Sequence, residues 1–172
     1  NNVTLVDEDA IDLGASTVSG TYKVTAGGAI TDSGTQEIAG VTTIAAGSGN
    51  DITLNTSTNN FAAAVVITSG NNVTLVDEDA IDLGASTVSG TYTLTAGGAV
   101  TDTGALAITG VTTIAAGSGN NITLDHTSNN FQAAVIITSG NNVTLVDAGA
   151  IDLGASTVSG TYAVTATTGG DI

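Results

Sequence analysis

Asn1–Gly20 reads NNVTLVDEDAIDLGASTVSG, returns letter for letter as Asn71–Gly90, and returns again as Asn141–Gly160 with Ala148 and Gly149 in place of Glu8 and Asp9. The period is 70 residues, and copies 1–70 and 71–140 differ at only 15 positions, so each copy is a control on the other. A side chain that changes between them does not carry chemistry common to both.

Working outward, Gly20, Gly40 and Gly70 close sub-units of 20, 20 and 30 residues, and Gly90, Gly110 and Gly140 repeat the division. Each sub-unit carries three short alternating apolar stretches separated by Gly, Asn, Asp or Ser. They centre on Val3/Leu5, Ile11/Leu13 and Val18, then on Tyr22/Val24, Ile30 and Ile38, then on Ile44, Ile52/Leu54 and Val65/Ile67. Alternation with period two sends one set of side chains inward and the other outward. Thr4, Asp12, Thr17 and Lys23 take the outward parity. Three short strands and tight corners fill about 20 residues, which is one rung of a triangular parallel β-helix with strands about 4.8 Å apart along the axis.

The expected fold is therefore all-β: a parallel β-solenoid of about 20–30 residues per rung with three short strands each. It forms one segment over 1–172, made of repeats 1–70, 71–140 and a partial 141–172. That arithmetic predicts seven rungs and a fraction, with the ten extra residues of the third sub-unit forming looser corners at 55–60 and 125–130. An antiparallel immunoglobulin-like sandwich would need modules of about 100 residues, and the 20-residue sub-period is too short for that. Between copies Val24 becomes Leu94, Ile30 becomes Val100 and Val66 becomes Ile136, all apolar, while Lys23→Thr93 and Glu37→Ala107 fall where solvent is expected. Gln36→Leu106 shares the inward parity of Ile38 and is assigned to a corner.

Composition agrees. There is no Cys, Met, Trp or Pro, and one basic side chain faces 16 acidic ones for a net charge of −15. Val, Ile and Thr with Gly as punctuation favour strands, and this apolar content is not that of a disordered chain. So acidic a chain repels phosphate backbones, which excludes nucleic acid as a partner. No apolar run approaches the roughly 18 residues of a membrane helix. The chain opens without Met and stops within a repeat, as expected of an excerpt from a longer array.

The stretches VTLVDEDAIDLGASTVSG and YTLTAGGAVTDTGALAITG, with their Gly-Ala-Ile/Val and Ala-Gly-Gly corners, resemble the repeat regions of filamentous-haemagglutinin-like proteins and of other giant bacterial surface adhesins. The resemblance implies a right-handed parallel β-helix displayed at the cell surface.

Candidate sites are few. Asp7, Asp9 and Asp12, with Asp77, Asp79 and Asp82, are spaced closely enough to offer Ca²⁺ hard oxygen ligands. Against that, the third copy keeps only Asp147 and Asp152, and a solvated acidic corner would also keep a rod soluble. Asn pairs such as Asn71-Asn72 mark turns. Asn2, Asn55, Asn72, Asn121 and Asn142 each open an Asn-x-Ser/Thr triplet, the acceptor pattern for N-glycosylation. His126, the only histidine, is Thr56 in the first copy and reads as a loop residue. One Lys, no Arg and no Trp leave little for β-helix enzymes of the glycoside- or pectate-cleaving kind. Tyr22, Tyr92 and Tyr162 read as a stacked packing feature. Outward Thr pairs are scattered, which argues against an ice-matching face.

The expected function is a stiff structural shaft of a large secreted or cell-surface adhesin, extracellular and not enzymatic, with no cofactor unless calcium binds. The alternative is a self-assembling extracellular filament or sheath subunit formed by end-to-end stacking. The expected partners are neighbouring solenoid segments or identical subunits, and a host or environmental surface ligand.

Overall fold

The computed structural model describes residues 1–167, so the last five residues of the expected segment lie outside the described part. The described chain is built of short parallel strands. In the first copy these are β1 (Val3–Asp7), β2 (Ile11–Leu13), β3 (Ser16–Val18), β4 (Tyr22–Ala26), β5 (Ile30–Asp32), β6 (Gln36–Ile38), β7 (Thr42–Ala45), β8 (Ile52–Leu54), β9 (Asn60–Phe61) and β10 (Val65–Ser69). The second copy repeats them as β11 (Val73–Asp77), β12 (Ile81–Leu83), β13 (Ser86–Val88), β14 (Tyr92–Ala96), β15 (Val100–Asp102), β16 (Leu106–Ile108), β17 (Thr112–Ala115), β18 (Ile122–Leu124), β19 (Asn130–Phe131) and β20 (Val135–Ser139). The third contributes β21 (Val143–Asp147) and β22 (Tyr162–Ala166).

Every pairing is parallel, and each strand sits on one a full turn away. The chain is a β-solenoid of about 8 turns. No described helix is long and apolar enough to cross a membrane. Inward residues close the core: Val24, Ile44, Ile67, Leu75 and Ile114 are fully buried, and Phe61 and Phe131 are 1% exposed. Burying such a side chain contributes about 1.5–3 kcal/mol, but only if the next rung covers it. The outward parity holds as well, with Thr4, Asp12, Thr17 and Lys23 all exposed.

The counting of strands needs a correction. The 30-residue sub-unit holds four strands, because Asn60–Phe61 forms β9 where a loose corner was expected. Turns take between 18 and 24 residues, so none is 30 long. Ten strands per copy on three faces make three and one-third turns. Each copy therefore starts one face further round than the last. Register shows this directly. β1 lies in the ladder β1-β4-β7-β10, whereas its 70-residue equivalent β11 pairs with β8 in the ladder β2-β5-β8-β11-β14-β17-β20. The equivalent of that strand in turn, β21, pairs with β18 in the column β12-β15-β18-β21, which joins the ladder of β1 in one nine-stranded sheet. The crossover is compressed at one residue pair, Val65↔Leu83, with Gly70 bridging Val88 just beyond.

Two readings change with this. Tyr22 and Tyr92 are core residues, 2% and 1% exposed, but they lie on different faces and do not stack on one another. Their ladder neighbours above are Thr42 and Thr112. Tyr162 is 36% exposed. Gln36 is no corner residue. It lies inside β6, fully buried, and its Nε2 donates to Gly14 O and Gly34 O at 2.8 Å each.

Candidate functional site

The polar groups that the fold brings together lie where β9 and its equivalent β19 enter the rod. Asp32 ends β5 and shares parity with Ile30, so its carboxylate points toward the interior. There it accepts from Asn55 N at 2.8 Å, Thr56 N at 3.2 Å and Asn59 Nδ2 at 2.6 Å. Asn59, fully buried, accepts Gln36 N on its Oδ1 at 2.8 Å. One carboxylate and one amide thus pin the loop 55–59 and seat β9. The second copy rebuilds the clasp: Asp102 accepts from Asp125 N, His126 N and Asn129 Nδ2, and Asn129 accepts from Leu106 N. Backbone amides supply most of these bonds, which explains why Asn55-Thr56 can become Asp125-His126 without altering the loop. The His126 Nδ1 accepts from Ser128 N at 3.2 Å.

The calcium candidates are dispersed rather than gathered. Asp77 is 2% exposed; its Oδ2 accepts from Phe61 N and its Oδ1 from Asp79 N, both at 2.8 Å. Asp7 Oδ1 accepts from Asp9 N at 2.8 Å. Asp9 and Asp79 are exposed, with Asn60 Nδ2 3.4 Å from Asp79 Oδ2. Asp12 accepts from Thr31, and Asp82 from Thr101 and Thr103. Among the described residues no three acidic or imidazole side chains are grouped to hold a metal ion. The copies separate the roles of these acids. Asp147 keeps the inward bonds, accepting from Phe131 N and Gly149 N at 2.7 Å each, although the neighbouring acids have become Ala148 and Gly149. The first Asp of the corner is a structural cap, and the two acids after it are dispensable to the geometry. Asp51 tells the same story. Its Oδ1 accepts three bonds from Asn71 and Asn72 at 3.1 Å, and Asn121 accepts the same three at 3.2 Å. An acceptor oxygen is needed there, not a charge.

Among the described residues a shallow groove of about 250 Å³ is edged by Thr17, Glu37 and Asn60, with Ala39 and Ala62 beside them. Its carboxylate is Ala107 in the second copy, so the chemistry is not repeated. The outward threonines are less scattered than the sequence indicated. Register places Thr31, Thr53, Thr74, Thr93 and Thr113 on five successive rungs of one face, between Asp12 and Ile136. They align because the change of face brings residues from different places in the two copies into one column.

The family described as repeats of unknown function matches residues 1–68, 70–138 and 140–172, which are the three copies. The chain belongs to that family, DUF5649. No curated protein and no solved structure matches it. In these DUF5649 repeats the recurring polar machinery is the Asp32–Asn59 and Asp102–Asn129 clasps and the Asp77 and Asp147 caps. Sequence reasoning marks Asp77 only as a calcium candidate and does not single out Asp32 or Asp102. A signal was present: Asp32 and Asp102 stand two residues after Ile30 and Val100, on the inward parity.

Burial pushes the Asp77 carboxyl above its usual range, with the Asp79 and Glu78 charges acting in the same direction and the Phe61 and Asp79 amides opposing. Burial likewise raises Asp102, beside the Asp125 charge, against the bonds from Asn129, Asp125 and His126. A carboxyl raised in the folded state binds its proton at higher pH than in the unfolded chain, so these two groups add stability on acidification and lose it as pH rises through their folded values. Relief of the −15 net charge acts in the same direction. The melting temperature, followed by circular dichroism, should rise as pH falls from 7 toward about 4, the ordinary carboxylate range. A steady decline over that interval would show that the buried carboxylates are not raised.

Proposed function

We propose that this DUF5649 chain is a length of the shaft of a large secreted or cell-surface protein of the adhesin kind, serving as a stiff extracellular spacer. The observation that carries this reading is the ladder of parallel backbone bonds running from rung to rung along the described chain, around a core of Val, Ile and Leu. Such a rod resists bending and extension because any displacement breaks several ladder bonds together and uncovers apolar faces. Lys23, the single basic side chain, lies within β4, which leaves trypsin-like proteases one cleavage point inside a paired strand. The partners of the shaft are neighbouring segments of the same array and, at its tip, the surface to be reached.

The reading is tested by length. Chains of two, four and eight repeats imaged by electron microscopy should lengthen by about 16 Å per repeat, three and one-third turns at about 4.8 Å each, at constant width. Particles that thicken or grow compact with copy number would remove the spacer reading.

A further inference from the structure

Five Asn-x-Ser/Thr triplets are spread through the chain, and the fold treats them unequally. Asn2 Oδ1 accepts from Thr21 N at 3.0 Å. Asn72 donates from Nδ2 to Asp51 and accepts on Oδ1 from both Thr91 N and Thr91 Oγ1. Asn142 does the same with Asn121 and Thr161, which also occupies Asn121 Oδ1. In these four triplets the amide joins adjacent rungs and the hydroxyl residue, Thr4, Thr74, Thr123 or Thr144, lies inside a strand. A bulky substituent on Asn72 or Asn142 Nδ2 would displace its bond to the next rung, and in all four triplets the turn a transferase must impose would break the strand that holds the hydroxyl residue.

Asn55-Thr56-Ser57 differs on each count. It follows β8 in the loop that leads to β9, and Asn55 and Ser57 are both exposed. Its fastening to the rod runs through the backbone amides of residues 55 and 56, which Asp32 accepts. The Asn55 side chain is left outside this bonding. We propose that Asn55 is an N-glycosylation acceptor, alone among the five triplets. In the step, Asn55 Nδ2 attacks the anomeric carbon of a sugar activated as a diphosphate ester. An N–C bond forms, the C–O bond to the diphosphate breaks, the diphosphate leaves with the electron pair, and the amide proton passes to a base; nothing is oxidised or reduced. The activated sugar is carried either by a nucleotide or by a lipid. The equivalent loop of the second copy reads Asp125-His126-Thr127, so it lacks only the amide nitrogen.

The test uses the folded chain with a sequon-directed N-glycosyltransferase in two arms, one supplied with a nucleotide-diphosphate hexose and the other with a lipid-pyrophosphate oligosaccharide, read by intact mass and peptide mapping. One sugar unit at Asn55 is expected in at least one arm, and the productive arm names the donor. Asn55→Gln should abolish transfer, and Asp125→Asn should add a second site of comparable occupancy. Peptide mapping of the chain recovered from its source cells should find the sugar at Asn55. An unmodified Asn55 there, or transfer to Asn2, Asn72, Asn121 or Asn142 at similar occupancy, overturns the proposal. The spacer reading is judged separately, by rod length.

Discussion

Replacing Asn129 by alanine is expected to destabilise the protein by about 3 kcal/mol, because it orphans two buried groups at about 1–3 kcal/mol each. Asn129 is fully buried; its Oδ1 takes the Leu106 amide and its Nδ2 gives the 2.6 Å bond to the Asp102 carboxylate. Without it the Leu106 N–H faces a space that offers no acceptor, and Asp102 keeps its charge with only the Asp125 and His126 amides to hold it. For a chain of this size the melting temperature should fall by about 6–12 °C. Hydrogen exchange should accelerate first in β16 and β19, the strands the clasp joins. His126→Thr is the matched control and should be near neutral, since Thr56 occupies that place in the first copy with its backbone amide bound in the same way. A shift for Asn129→Ala no larger than that of the control would show the clasp to be incidental.

The second large effect is steric. A Cβ added to Gly97 would lie 1.9 Å from the Glu78 carbonyl oxygen, and at Gly27 the corresponding distance to Glu8 O is 2.0 Å. Neither backbone can withdraw freely, because Gly97 N donates to Asp77 O at 3.0 Å and so ties the corner to the rung beneath it. Gly97→Ala should therefore cost about 1–3 kcal/mol as the two rungs are prised apart. Gly119→Ala has nothing within 4 Å to strike and should be neutral or stabilise by about 0.4–1 kcal/mol through the unfolded chain. Urea midpoints for the two variants, measured side by side, decide the matter. Equal midpoints would mean that the close approach of the corners is not maintained in solution.

The class of fold was legible because period-two alternation and a 70-residue repeat leave few architectures open, and Ile30, Ile52 and Val73 alternate with polar residues as the register requires. The strand β9 was not legible. Two residues, Asn60 and Phe61, are too few to alternate, and what makes them a strand is the rung beneath, where Glu37 and Ile38 provide the ladder. Missing that one strand hid the change of face and, with it, the threonine column and the separation of the tyrosines. The acidic corner misled in another way. Asp7, Glu8 and Asp9 look alike as letters, yet the strand geometry turns the Asp77 carboxylate inward to the backbone while Glu78 and Asp79 remain in solvent. Buried polar pairs such as Asp102–Asn129 join residues 27 apart, and no local pattern announces a partner at that distance.

Because a unit is three and one-third turns, adding one changes more than reach. It also turns the far end of the rod, because ten strands do not divide evenly among three faces. Variation in copy number thus changes both the length of the rod and the direction in which its last rung faces.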